Sequence, residues 1–203
     1  MNSRNHRRLA LTVSITLGLG LAFNAQAQSA GSETERNVDQ QQRIEQGLKS
    51  GELNTREASK LERGQARIDR TEKRDMRDGT LSDADKAQIQ KQQNRQSAAI
   101  YGQKHDAQTG NPDSASSQRM QNDVQRNVNQ EQRIHNGVAN GSLTNREAGH
   151  LEGREAHVDH EEARAGRDGH VGAGEQRRIQ RTDNRDSRRV FRQKHDRQTR
   201  SHR

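Results

Sequence analysis

Apolar positions along this chain are sparse, and they recur at helical spacing. Over residues 54–76 they are Ala58, Leu61 and Ile68; over 82–106 they are Ile89 and Ile100, with Tyr101 beside the latter. The same pattern returns further on as Ala148, Leu151, Val158, Ile179, Val190 and Phe191. Nowhere does the sequence alternate as a half-buried strand would. Between the apolar positions it is rich in Gln, Arg, Glu and Ala, which favour helix. The pattern predicts an all-α protein with helices near 37–50, 54–76, 82–106, 127–140, 144–166 and 172–196. Apolar stripes this narrow suit helical hairpins or a short coiled coil around thin cores, not a closed cavity.

The breaks between helices are written in capping chemistry. Gly51, Gly79, Gly141 and Gly169 each stand where a helix would end in the left-handed conformation. Asn54, Ser82 and Thr144 then supply N-caps, and Glu57, Asp85 and Glu147 complete capping boxes three residues later. Leu53, Leu81 and Leu143 precede the caps as hydrophobic staples. Gly172 is a weaker cap. These units form two larger repeats: residues 37–109 align with 127–199 without a gap, with 32 identities in 73 positions. The densest match is Gln103-Lys104-His105-Asp106 with Gln193-Lys194-His195-Asp196, and Tyr101 and Phe191 fall at equivalent positions. The expected organisation is a leader over 1–27, a flexible segment over 28–36, repeat 1 over 37–109, a linker over 110–126 that holds the single Pro, repeat 2 over 127–199 and a basic tail over 200–203. Two tandem helix–turn–helix–turn–helix repeats with extended or partly disordered ends would result.

Composition changes this picture in two ways. First, Arg4, Arg7 and Arg8, the charge-free apolar run from Leu9 to Phe23, and Ala25-Gln26-Ala27 read as a secretory signal cleaved after Ala27. The run is too short for about 20 residues of bilayer span, so no transmembrane segment is expected in the mature chain. A chain exported without Cys suits the bacterial periplasm. Second, the mature chain keeps only 23 Val, Ile, Leu, Met, Phe and Tyr side chains. That borders on a disordered composition, so oligomerisation (a homo-oligomer) or folding on binding would assist stability. The absence of Cys excludes disulfides, thiolate zinc sites and cysteine nucleophiles.

Charge is unevenly spread. Residues 177–203 carry eleven Lys and Arg against three Asp, a net of +8, whereas the full chain's formal charge is also +8. Arg178, Arg181, Arg185, Arg188 and Arg192 recur at 3, 4, 3, 4 and lie along one helical face, a geometry suited to phosphates or anionic headgroups. The competing reading is a solvated face partly neutralised by Asp183 and Asp186. Export and the lack of stacking aromatics disfavour nucleic acid as the partner.

Three other constellations invite chemistry. His150, His157, His160 and Glu161 share a helical face and could hold Cu²⁺, Ni²⁺ or Zn²⁺. Their repeat-1 counterparts Lys60, Arg67 and Arg70 point instead to a solvated cationic face. The Gly-centred turns echo the second half of a calcium loop. Counting back from Gly79 and Gly169, however, puts Arg74 and Arg164 at the first ligand position, where a cation repels another. His105-Asp106 and His195-Asp196 are neighbours about 100° apart on a helix, with no nucleophile beside them, so no catalytic residue and no cofactor is expected.

The phrases Ser50-Gly51-Glu52-Leu53 with Arg56-Glu57-Ala58, Asp78-Gly79-Thr80-Leu81, and Ile100-Tyr101 with Lys104-His105-Asp106 resemble a group of small exported proteobacterial proteins. These carry tandem SGxLTxxEA and DGxLTxxE helical repeats ending in KHD. The resemblance covers both repeats and implies a periplasmic helical protein, without supplying an activity or a site. The expected function is non-enzymatic: a binding or scaffold protein of the cell envelope, engaging an envelope protein or anionic surface through its C-terminal arginines. The alternative is periplasmic transition-metal binding through the His-rich second repeat.

Overall fold

A computed structural model describes residues 22–196, with side chains from residue 30 onward. Residues 9–21 of the leader's apolar run and the basic tail over 200–203 lie outside the described residues. The described chain is helical, in the order α1 (Ala22–Ser50), α2 (Thr55–Asp75), α3 (Asp83–Lys104), α4 (Ala115–Ala139), α5 (Asn145–Ala165) and α6 (Ala173–Lys194), with a 3₁₀ turn at Gly166–Asp168 before α6. Among the described residues no helix is long and apolar enough to cross a membrane.

The caps form as their residue types require. Asn54, Ser82 and Thr144 accept the backbone N–H of Glu57, Asp85 and Glu147, and those acids accept the cap residue's own N–H. Gly172 has no side chain to contribute, so only the reciprocal half exists there: its N–H donates to Glu175 Oε2 at 2.9 Å. Gly51, Gly79, Gly141 and Gly169 all have φ between 77° and 92°, the left-handed conformation that a Cβ would oppose.

Two expected boundaries move. α4 begins at Ala115, inside the stretch read as linker, because Ser114 caps it and Met120 and Val124 are buried. Residues 28–36, read as flexible, belong to α1, and Ala30, Glu33 and Thr34 are buried. Both starts were hidden because the buried faces there are largely polar.

The repeats are interlocked instead of being laid end to end. α2 packs antiparallel on α5 and α1 on α4, each pair joining repeat 1 to repeat 2; α3 flanks α1 and α2, and α6 flanks α4 and α5. Exchanging the repeats maps the assembly onto itself, as a local two-fold axis through the α2–α5 contact would. Every Val, Ile, Leu and Met from residue 30 to 196 is buried. All but Val38 and Val128 gather into two apolar ends. One contains Ile44, Leu48, Leu53, Leu61 and Val158; the other contains Ile134, Val138, Leu143, Leu151 and Ile68, their repeat counterparts. Thin seams in each repeat thus become adequate cores by being shared.

The α2–α5 crossing is close. A Cβ at Gly149 would fall 2.6 Å from Met76 Cβ and 3.3 Å from the Glu72 carbonyl oxygen, whereas at exposed Gly102 in α3 it would meet nothing within 4 Å. Gly149→Ala is therefore expected to destabilise by about 1–3 kcal/mol through overpacking. Gly102→Ala should stabilise by about 0.5–1 kcal/mol through helix propensity. Thermal denaturation by circular dichroism checks both; a rise in Tm for Gly149→Ala would contradict the packing.

Candidate functional site: a buried carboxylate waist

Between the two apolar ends the interior is acidic. α2 contributes Glu62, Asp69 and Glu72, which lie seven and three residues apart on the face turned to α5. α5 contributes the equivalent Glu152, Asp159 and Glu162, and α4 adds Glu131. All seven are at most 1% exposed. Among the described residues, no Lys or Arg forms a salt bridge with any of them. An uncompensated buried carboxylate costs several kcal/mol, so this arrangement runs against folding.

The antiparallel pairing sorts these acids into two half-sites. In one, Glu62 from α2 meets Asp159 and Glu162 from α5; in the other, Glu152 from α5 meets Asp69 and Glu72 from α2. Within each group one carboxylate oxygen from every member lies within 4.8 Å of the others. Asp69 and Asp159 come within hydrogen-bonding reach of each other where the halves join, and Glu131 reaches Glu152.

Side-chain amides line the waist. The Gln41 amide donates to Glu62 Oε2 at 3.0 Å and Asp159 Oδ1 at 3.4 Å. Asn127 donates to Asp159 Oδ1 at 3.1 Å and Glu162 Oε2 at 2.8 Å. Asn37, the repeat counterpart of Asn127, donates to Glu72 Oε2 at 2.8 Å. Much of the oxygen remains without a hydrogen-bond donor: Glu62 Oε1, Asp69 Oδ2, Glu131 Oε2, both oxygens of Glu152, Asp159 Oδ2 and Glu162 Oε1. The buried carbonyl oxygens of Gln41 and Asn127 are likewise unpartnered. Buried polar atoms are normally satisfied, so this concentration of orphaned oxygen is exceptional.

Electrostatics follow from burial. Loss of hydration, with no cation to offset it, raises Glu62 to about 7 and Glu72 to about 8. Asp69, Glu131, Glu152, Asp159 and Glu162 are pushed well above the ordinary carboxylate range, first by desolvation and then by the neighbouring acids. At the rim, Asp123 rises to about 7 and Asp183 to about 6, in both cases chiefly through burial.

The residues singled out from sequence lie elsewhere. Arg178, Arg181, Arg185, Arg188 and Arg192 are all exposed on the outer face of α6. Asp183 and Asp186 do not neutralise them: both are buried, held by Arg126 at 3.0 Å and by Arg154 respectively. His150, His157 and His160 are exposed as well. Of that set only His157 and Glu161 approach each other, at 3.5 Å, and no three of the four form a ligand group. Burial and nearby cations hold two of these imidazoles below their ordinary range: Arg154, Arg189 and Lys73 act on His150, and Arg70, Arg164 and Arg63 on His160. His105 and His195 end α3 and α6, stacking on Tyr101 and Phe191 at 4.1 and 4.2 Å, with Nδ1 2.8 and 2.7 Å from the carbonyl oxygens of those same residues. The KHD motif is thus a helix terminus. No family model, no curated protein and no solved structure matches this chain.

A signal for the waist was present in the repeat alignment. Six acids are identical between repeats: Glu57/Glu147, Glu62/Glu152, Asp69/Asp159, Glu72/Glu162, Asp78/Asp168 and Asp106/Asp196. Capping, turn and helix-end roles account for the first pair and the last two. The middle three pairs have no such local role, and they form the waist.

The titration sign gives a test. Unfolded carboxyls release their protons near pH 4–4.5, while those in the fold hold theirs to about 7 for Glu62 and about 8 for Glu72. In that interval the native state binds more protons, so stability falls as pH rises. Chelator-treated protein should lose stability from pH 5 up to about pH 7 for Glu62 and about pH 8 for Glu72, on the order of 1 kcal/mol per pH unit for each, read as a falling Tm. A Tm that rises over this interval would contradict the waist's electrostatics.

Proposed function

We propose that this is an exported, non-enzymatic helical protein of the cell envelope that binds hard multivalent cations in its carboxylate waist. The observation that carries the reading is the pair of buried three-carboxylate groups, in which five of the six acids keep an oxygen without a donor. Multivalent cations with a preference for oxygen, such as Ca²⁺, Mn²⁺ or a trivalent ion, take six to eight such ligands. The waist contains no imidazole or thiolate, which argues against Cu⁺, Cu²⁺ and Zn²⁺ as the preferred occupants. Helical bundles commonly place metal ligands on facing helices in this way. Violating the rule against buried uncompensated charge, and doing so at the same three positions in both repeats, is what a functional site does.

Equilibrium dialysis of chelator-stripped protein against Mg²⁺, Ca²⁺, Mn²⁺, Fe³⁺ and La³⁺, read by elemental analysis, tests this. Uptake of at least one of these ions is expected. Asp69→Asn with Asp159→Asn should weaken it at least roughly tenfold, while raising the Tm of the stripped protein at pH 8 because repulsion is relieved. His157→Ala with His160→Ala should leave uptake unchanged. Absence of uptake for every ion, or loss on changing the histidines alone, would refute the reading.

A second reading concerns the outer face of α6. Because Asp183 and Asp186 turn inward, its five exposed arginines keep their charge available to an anionic partner. Sedimentation with vesicles containing anionic phospholipid should show binding that weakens as salt rises from 50 to 300 mM. Changing Arg181, Arg185 and Arg188 to Gln should abolish it. Binding that ignores salt or those changes would exclude this face.

A further inference from the structure

The two half-sites are related by the repeat but are not identical. The first is framed by Glu62, Asp159 and Glu162, with the side-chain amides of Gln41 and Asn127 against them. The second is framed by Glu152, Asp69 and Glu72, with the amides of Asn37 and Gln93 on Glu72 and that of Gln65 on Asp69. At the place where the first half has Gln41, the second has Glu131, whose carboxylate is 1% exposed, faces Glu152 and leaves Oε2 without a donor. One half therefore offers three carboxylates and two amides, and the other four carboxylates and three amides. Asp69 and Asp159 belong to different halves and meet where these join.

We propose that the waist holds two hard cations, one in each half, linked through Asp69 and Asp159, with the Glu131 half filled first and more strongly selective for a trivalent ion. This rests on the cation-binding reading above and adds to it a stoichiometry, an order and a charge preference.

The physical case has three parts. Each half has enough oxygen for six- to eight-fold coordination on its own, since three carboxylates binding through both oxygens supply six donors before the amides are counted. A carboxylate placed between two cations lowers their mutual repulsion, and Asp69 and Asp159 meet where the two halves join. Ligand charge tunes cation affinity, so a fourth carboxylate makes the Glu131 half the tighter one, and the gain is greater for a trivalent ion than for a divalent one. The amide of Gln41 can meet its ion only after rotating its carbonyl inward, exchanging two hydrogen bonds for one coordinate bond. That exchange weakens the first half further.

The repeats themselves supply the test substitutions, because each half shows what the other would become. Native mass spectrometry and calorimetry of the full chain with La³⁺ and with Ca²⁺ should give two ions per chain and two resolved affinities, more widely separated for La³⁺. Glu131→Gln should weaken the tighter site roughly tenfold and draw the two affinities together. Gln41→Glu should strengthen the weaker site by a similar factor. Far-UV circular dichroism should be unchanged in both variants. One ion per chain, or two ions whose affinities neither substitution moves, would overturn the two-cation arrangement while leaving cation binding intact. No uptake of either ion would overturn the cation-binding reading itself.

Discussion

The organising constraint in this molecule is the burial of a carboxylate cluster where a helical protein of this size would ordinarily place leucine. A chain with 23 large apolar side chains outside its leader cannot fill a conventional interior. It divides its apolar residues into two ends and closes the space between them with acids and amides. The waist cannot be treated as a solvated face that happens to turn inward. Its oxygens are sequestered, its hydrogen bonds come from the side-chain amides of Gln41, Asn37, Asn127, Gln65 and Gln93, and its charges lack basic partners. Either protons or cations must compensate it. The former option makes the fold's stability depend on pH; the latter makes it depend on metal.

Duplication explains how such an interior could be built. One three-helix unit presents Glu, Asp and Glu on its middle helix with nothing to complete them. Two units packed antiparallel through α2 and α5 face these acids across a local two-fold, and each half-site then draws ligands from both repeats. Neither repeat contains a complete site alone. The same interlocking lets the apolar residues of one repeat cover those of the other, so core and site arise from a single packing event.

How much of this was legible in the sequence depends on which residues carried it. The starts of α2, α3 and α5 follow from Asn54, Ser82 and Thr144 with their acids three residues on, because a capping box is a local interaction set by residue type and spacing. The left-handed glycines are legible for the same reason. The starts of α1 and α4 are not, since Glu33, Asn37, Asp123 and Asn127 look like surface residues until a partner helix buries them. The waist was missed on the same ground: hydropathy assigns Glu62, Asp69 and Glu72 to solvent, and only a tertiary contact reverses that. The exposed arginines of α6 and the exposed histidines of α5 were visible because periodicity alone places them.

Conservation of acids between the repeats also limits what the waist can be. If these carboxylates served only to occupy volume with shared protons, Gln or Asn would do so at lower cost, and the chain uses both freely nearby, as at Gln41, Gln65 and Gln93. Gln65 and Gln93 have as their repeat counterparts Glu155 and Asp183, so amide and acid have been interchanged around the waist's edge. Inside it, Glu62, Asp69 and Glu72 have not been interchanged. Tolerance at the rim beside constancy at three facing positions is what coordination requires, because an amide supplies one neutral oxygen where a carboxylate supplies two that share a negative charge. The exchange of Gln41 for Glu131 then changes the charge of one half while keeping its three facing acids, which is how two like sites acquire unequal strength.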